Sequence, residues 1–280
     1  MTAPRFGLLV PSDLADPGAL RELALEVERR GFQSLWVCDY SFHFPSSVAD
    51  AGVDPFAVAE SIATWTAVIR VGVLVQCGDA YRAATTAKMT AALDVQSGGR
   101  VEFGCGAGAT GPADRVSRMD EALTILRQAW IDEFIPLQQP HPPITIGGGG
   151  EGLLGVVARH ADYWNYLPVP LPLYERKAAL LTEHCQRLGR DPDSIARSLL
   201  VPTFTADWEK EVRDQLEGAR RRGTFWVGTN HFVQGTPDIV VPRFRDYARR
   251  GVSLFILVLP DPNNVRHLEF VEREIIRELT

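Results

Sequence analysis

Eight short apolar runs alternate with amphipathic stretches along the 280 residues of this chain. The runs lie at 6–10, 34–38, 71–77, 101–105, 144–147, 162–167, 198–205 and 253–259. Their repeat is about 35 residues, the size of a strand–helix unit. Most are apolar on both faces, so they are expected to be buried on both sides in a parallel sheet. Eight such units predict a (β/α)8 TIM barrel, one domain spanning residues 1–280. The rival is an open doubly wound sheet. That fold wants GxGxxG after its first strand, whereas PSDLAD stands at 11–16 here.

The intervening stretches carry helix signals. In the first helix, expected over 20–32, Leu20, Leu23, Ala24 and Val27 recur at helical spacing and Gly31 closes it. Asp54 and Pro55 read as N-cap and first position of a helix over 54–69. Gly98 and Gly99 stop the third. Further helices are expected over 115–130, 151–160, 173–188, 208–221, 236–251 and 264–279.

Hydrophobic residues make up 45% of the chain and charged residues 23%, which excludes a disordered or fibrous protein. The formal net charge of −6 argues against a nucleic-acid partner or an anionic membrane surface, though a local site can still take an anion. Cys38, Cys77, Cys105 and Cys185 show no metal-ligand spacing and read as buried reduced thiols. No stretch approaches a membrane span and no secretory signal is legible, so a cytoplasmic protein is expected.

In a barrel of this kind the chemistry sits where strands end and helices begin. Gly147, Gly148, Gly149 and Gly150 end the fifth strand and open a helix. Backbone N–H groups there can approach a phosphate, and the helix dipole favours the anion. A tight turn without a ligand is the plain alternative. GCGAG at 104–108 ends the fourth strand, and close backbone packing would explain it equally. Two glycine-rich rims on neighbouring strands suggest an extended, flavin-like ligand across the mouth. After the second strand, Asp39, Tyr40 and His43 place a carboxylate, a phenol and an imidazole on one loop. His43 is either a proton donor or a packing residue. The histidines form no HxH or HxxxH pair, so no metal is expected. GxSxG, P-loop and HExxH motifs are lacking, so nothing favours a hydrolase or phosphotransferase.

Three segments, YRAATTAKMTAALDVQSGGRVEFGCGAG at 81–108, PPITIGGGGEGLLGVVARHADYWN at 142–165 and QGTPDIVVPRFRDYARRGVSLFIL at 234–257, carry a family signature in order. Together they resemble the bacterial-luciferase-like superfamily of flavin- and deazaflavin-dependent oxidoreductases, in its coenzyme F-420 reductase branch. The resemblance implies a barrel with the cofactor ring at the strand C-terminal ends. It implies that Leu74, Val75 and Gln76 lie against the ring, with a cis peptide at 74–75. It implies that Gly106, Ala107 and Gly108 flank the ring and that Gly147 to Gly150 hold the phosphate. Asp39 matches the acid of an Asp-His pair, but Tyr40 stands in the histidine position. Ala109 replaces the glutamate of the sugar-phosphate dehydrogenases, which argues against glucose-6-phosphate oxidation. Short connections at 109–114 and 131–141 imply trimmed insertions and an open rim.

The expected activity is hydride transfer from reduced coenzyme F-420 to a C=N or conjugated C=C bond of a small molecule, as in secondary-metabolite biosynthesis. His43 or Tyr40 would give the proton, and Asp39 would orient the donor. An FMN-dependent monooxygenase and a flavin-binding barrel without turnover are the alternatives. A homodimer is expected.

Overall fold

The computed structural model describes residues 3–11, 16–38, 53–77, 82–108, 113–224, 227–228 and 231–280. Its barrel strands are β1 (Arg5–Val10), β2 (Ser34–Val37), β3 (Arg70–Cys77), β4 (Val101–Gly106), β5 (Ile144–Gly147), β6 (Tyr163–Tyr166) and β7 (Ala196–Thr205). A short β8 (Val233–Gly235) precedes the last, β9 (Val252–Val258). All pairings are parallel. The order runs β6-β5-β4-β3-β2-β1-β9-β7, and β6 pairs with β7 to close the ring. The chain is therefore a (β/α)8 barrel. β8 stands outside the ring, paired with Thr203, Phe204 and Thr205 at the end of β7.

Helices cover the strands: α1 (Pro17–Arg29), α2 (Pro55–Trp65), α3 (Ala83–Ser97), α4 (Arg115–Asp132), α5 (Glu151–His160), α6 (Leu171–Arg187), α7 (Glu209–Arg221), α8 (Pro237–Ala248) and α9 (Val265–Val271). The caps at Asp54 and Gly98 follow the sequence signals, and Asp16 adds one at the head of α1. Asp16 accepts from the Gly18 amide at 2.8 Å, and Asp54 accepts from those of Phe56 and Ala57. Gly98 ends α3 in the left-handed conformation at φ 70°.

Helix bounds shift by up to three residues elsewhere, as in α1, which begins at Pro17 rather than Leu20, and two helices differ in a more telling way. α2 stops at Trp65, four residues short of Ile69. The amides of Ala67, Val68 and Ile69 instead donate to one carboxylate oxygen of Glu28, at 2.8, 2.7 and 2.9 Å. A strong acceptor from α1 thus takes the donors that would have continued the helix. At the C-terminus, α9 gives way to a wider π turn at Glu272–Ile276.

The core has two shells. Between strands and helices lies the larger one, including Leu8, Leu35, Val71, Phe103 and Trp130. Inside the barrel, Leu9, Trp36, Cys38, Leu74, Leu200, Leu254, Ile256 and Val258 fill the lumen. Trp36 fits because Gly72 lacks a side chain: a Cβ there would stand 2.6 Å from the indole. At the strand N-terminal ends the lumen is polar. Arg70 pairs with the buried Glu102 at 2.5 Å. Burial pushes the Glu102 carboxyl above the usual range, and the Arg70 guanidinium opposes it. A third small core, Phe204, Ala206, Val212, Leu216 and Ala219, lies between the end of β7 and α7. Among the described residues, no helix is long and apolar enough to cross a membrane.

Candidate functional site

The parallel register brings the glycine-rich rims together. Cys77 pairs with Gly106, Gly106 with Gly147, and Gly147 with Asn165, a row across four strands at the mouth. β3 bulges between Val73 and Gln76, and the Leu74–Val75 peptide is cis, as the resemblance implied. The bulge divides the three β3 candidates. Leu74 is buried in the lumen. Val75 is half-buried above it, with its two methyl groups over Gly106 and Gly147. Gln76 borders a crevice on the outer side of the barrel wall, with Arg82, Thr86, Cys105, Met119 and Leu126. Of the β4 candidates, Gly106 lies on the floor beneath Val75. Ala107 packs toward the strand–helix core, and Gly108 turns the chain at φ 75°.

The four glycines of the β5 rim are not equivalent. Gly147 faces Val75. Gly148 has φ 126°, a conformation that side chains disfavour, and a Cβ there would meet Leu153 at 2.5 Å. Both its backbone groups are engaged: its N–H donates to Asn165 O at 2.9 Å, and its carbonyl accepts from Trp164 Nε1 at 2.7 Å. At Gly149 a Cβ would stand 2.3 Å from Cε2 of Tyr166. Gly150 alone opens onto free space, with φ −65° as the N-cap of α5. The amides that open α5 have no carbonyl partner within the helix, and the dipole makes that end attractive to an anion.

β6 supplies the wall behind this loop. Trp164 stacks on Tyr166 at 5.4 Å and on Tyr174 at 5.6 Å, and Tyr174 meets Tyr247 edge-on. Burial pushes the hydroxyls of Tyr174 and Tyr247 up to about 12. It also raises that of Tyr166. All three are therefore O–H donors at neutral pH. In the sequence Tyr166 falls in the sixth apolar run, at 162–167, with no role assigned to it. Only the approach of Gly149 to its ring singles it out.

The proposed proton-transfer residues Asp39, Tyr40 and His43 lie outside the described residues. Cys38, which precedes them, is buried in the lumen cluster, with its amide bonded to Val10 O. Among the described residues no group of three or more His, Cys, Asp or Glu side chains is placed to hold a metal ion.

Comparison with known proteins finds relatives of this chain in sequence and in fold. The chain is 22% identical, over a 326-position alignment, to the F-420-dependent glucose-6-phosphate dehydrogenase of Kineococcus radiotolerans, covering 97% of this chain and 96% of that relative. Its fold matches an F-420-dependent secondary alcohol dehydrogenase in complex with an F-420–acetone adduct, with TM-score 0.81 and 16% identity over 100% of this chain and 98% of that one. It also matches a monooxygenase from Streptomyces bottropensis, with TM-score 0.79 and 18% identity over 99% of this chain and 100% of that one. Residues 2–250 match the family model of the luciferase-like monooxygenases, and the chain belongs to that family of oxidoreductase enzymes.

Proposed function

We propose that this chain is a reductase that uses reduced coenzyme F-420 to reduce a C=N or conjugated C=C bond of a small molecule, in the making of a secondary metabolite. The observation that carries the reading is the floor at the mouth. Gly106 and Gly147 are register partners on adjacent strands, and one valine lies across both. A Cβ at either would displace that side chain, so the glycines let Val75 lie close to the strands as a low surface for a planar ring. The glycine run continues from this bed to the head of α5. A planar group joined to a phosphate fits the two features together. F-420-dependent relatives in sequence and in fold support this cofactor over others.

Bound there, the reduced deazaflavin would supply a hydride. The chain's own residues do the rest. Val75, Gly106 and Gly147 would support the ring. The amides of Gly149, Gly150 and the first turn of α5 would hold the phosphate. Leu9, Leu74, Leu200 and Ile256, all buried, close the lumen beneath and keep water from that side. The product of hydride addition needs a proton, for which His43 stands first and Tyr40 second, with Asp39 orienting the donor.

An FMN-dependent monooxygenase is the second reading, favoured by the family's description and the Streptomyces bottropensis neighbour. Titration of the purified protein with each cofactor separates the two. Micromolar binding of F-420 without tight FMN binding is expected. Tight FMN binding with rapid oxygen consumption by the reduced complex would overturn the proposal.

A further inference from the structure

We infer that Tyr166 is a side-chain ligand of the anion held by the glycine run, its hydroxyl adding a donor to the backbone amides. The inference rests on the phosphate reading above and extends it from glycines to a named side chain.

The geometry aims the phenol at this place. A Cβ at Gly149 would stand 2.3 Å from Cε2, 2.6 Å from Cζ and 2.9 Å from the hydroxyl oxygen of Tyr166. The hydroxyl-bearing end of the ring therefore lies against the backbone at the head of α5. Its position is held from behind. Trp164 stacks on the ring at 5.4 Å with 22° between planes, and Trp164 Nε1 donates to Gly148 O at 2.7 Å. One buried indole thus sets both the glycine run and the tyrosine beside it.

The hydroxyl is also uncommitted. It makes no hydrogen bond to any described residue, and the ring is half-buried rather than enclosed. Such a group finds its partner in solvent or in a ligand. Burial keeps it protonated, so it presents an O–H to an incoming anion rather than a repelling phenolate. The opposing view is that the ring is only a wedge against Gly149. Phenylalanine separates the two, because it keeps the wedge and removes the donor.

The test compares dissociation constants of wild type and Tyr166→Phe for two probes: coenzyme F-420, and the same deazaflavin chromophore without its phosphate-bearing tail. Wild type is expected to prefer F-420. In Tyr166→Phe that preference should shrink about tenfold, the scale of a lost hydrogen bond to a charged group, with chromophore affinity unchanged. Unchanged chromophore binding also reports an intact ring site. A variant that keeps the wild-type preference, or that weakens both probes equally, overturns the inference and leaves the phosphate reading standing. A wild type that binds both probes equally removes the phosphate reading, and the role of Tyr166 with it.

Discussion

The side chain of Val75 lies across Gly147: a Cβ at that glycine would stand 3.0 Å from Cγ1 of Val75. The other methyl, Cγ2, would stand 3.1 Å from a Cβ at Gly106. One residue at the β3 bulge therefore depends on the smallness of two others on two further strands. Gly147→Ala should displace Val75 and weaken binding of F-420 by about tenfold, roughly 1.4 kcal/mol. Val75→Ala should relieve the crowding, so the double variant should bind better than the two single effects predict. Strict additivity in a double-mutant cycle of dissociation constants would show that the contact does not shape the site.

The glycine run offers a graded series. Gly148→Val meets both a left-handed φ and the Leu153 side chain, so it should lower the melting temperature. Gly149→Val drives into the Tyr166 ring and should do the same. Loss of cofactor binding in either variant would thus mix two causes. Gly150→Ala has open space and an ordinary φ, so it should fold with wild-type stability. A methyl group at the head of α5 should nonetheless obstruct phosphate approach and weaken F-420 binding several-fold. Full affinity in this folded variant would place the phosphate elsewhere.

Proton supply is testable by kinetics. His43→Ala should lower turnover at least about tenfold while leaving cofactor affinity unchanged, because a positioned general acid is worth about 10²–10⁴-fold. Tyr40→Phe should be milder. Normal turnover in the His43 variant with a defect in the Tyr40 variant would reverse the two roles. If both turn over normally, the proton comes from outside this segment.

Glu28 should make stability depend on acid pH. Burial raises its carboxyl pKa, but the amides of Ile69, Val68 and Ala67 outweigh that, and the net shift is downward from 4.5. A folded-state pKa below the unfolded one gives stability that is present above about 4.5 and lost as pH falls through the lower folded value. Glu28→Gln should therefore cost about 1 kcal/mol at pH 7. The gap from wild type should narrow as pH falls below about 4.5. Urea denaturation of both proteins at pH 7 and pH 3.5 measures this, and a pH-independent gap would contradict it.

The barrel was legible in the sequence because each strand advertises itself locally. Runs such as FGLLV and SLFILVL are apolar on both faces, and Asp54-Pro55 and Gly98-Gly99 mark helix ends within a few residues. The two glycine rims were legible for the same reason, as runs of one residue type. Contacts between distant segments were not. Nothing near Glu28 in the chain says that it will take the amides after α2 and end that helix early. β8 has three residues and no periodicity of its own, so only its pairing with the end of β7 makes it a strand. The four glycines look alike as letters, yet one is bonded on both sides, one presses on Tyr166, and one is open. Those differences arise when parallel register sets β3, β4, β5 and β6 side by side, because a glycine's role is decided by the side chain that its missing Cβ makes room for.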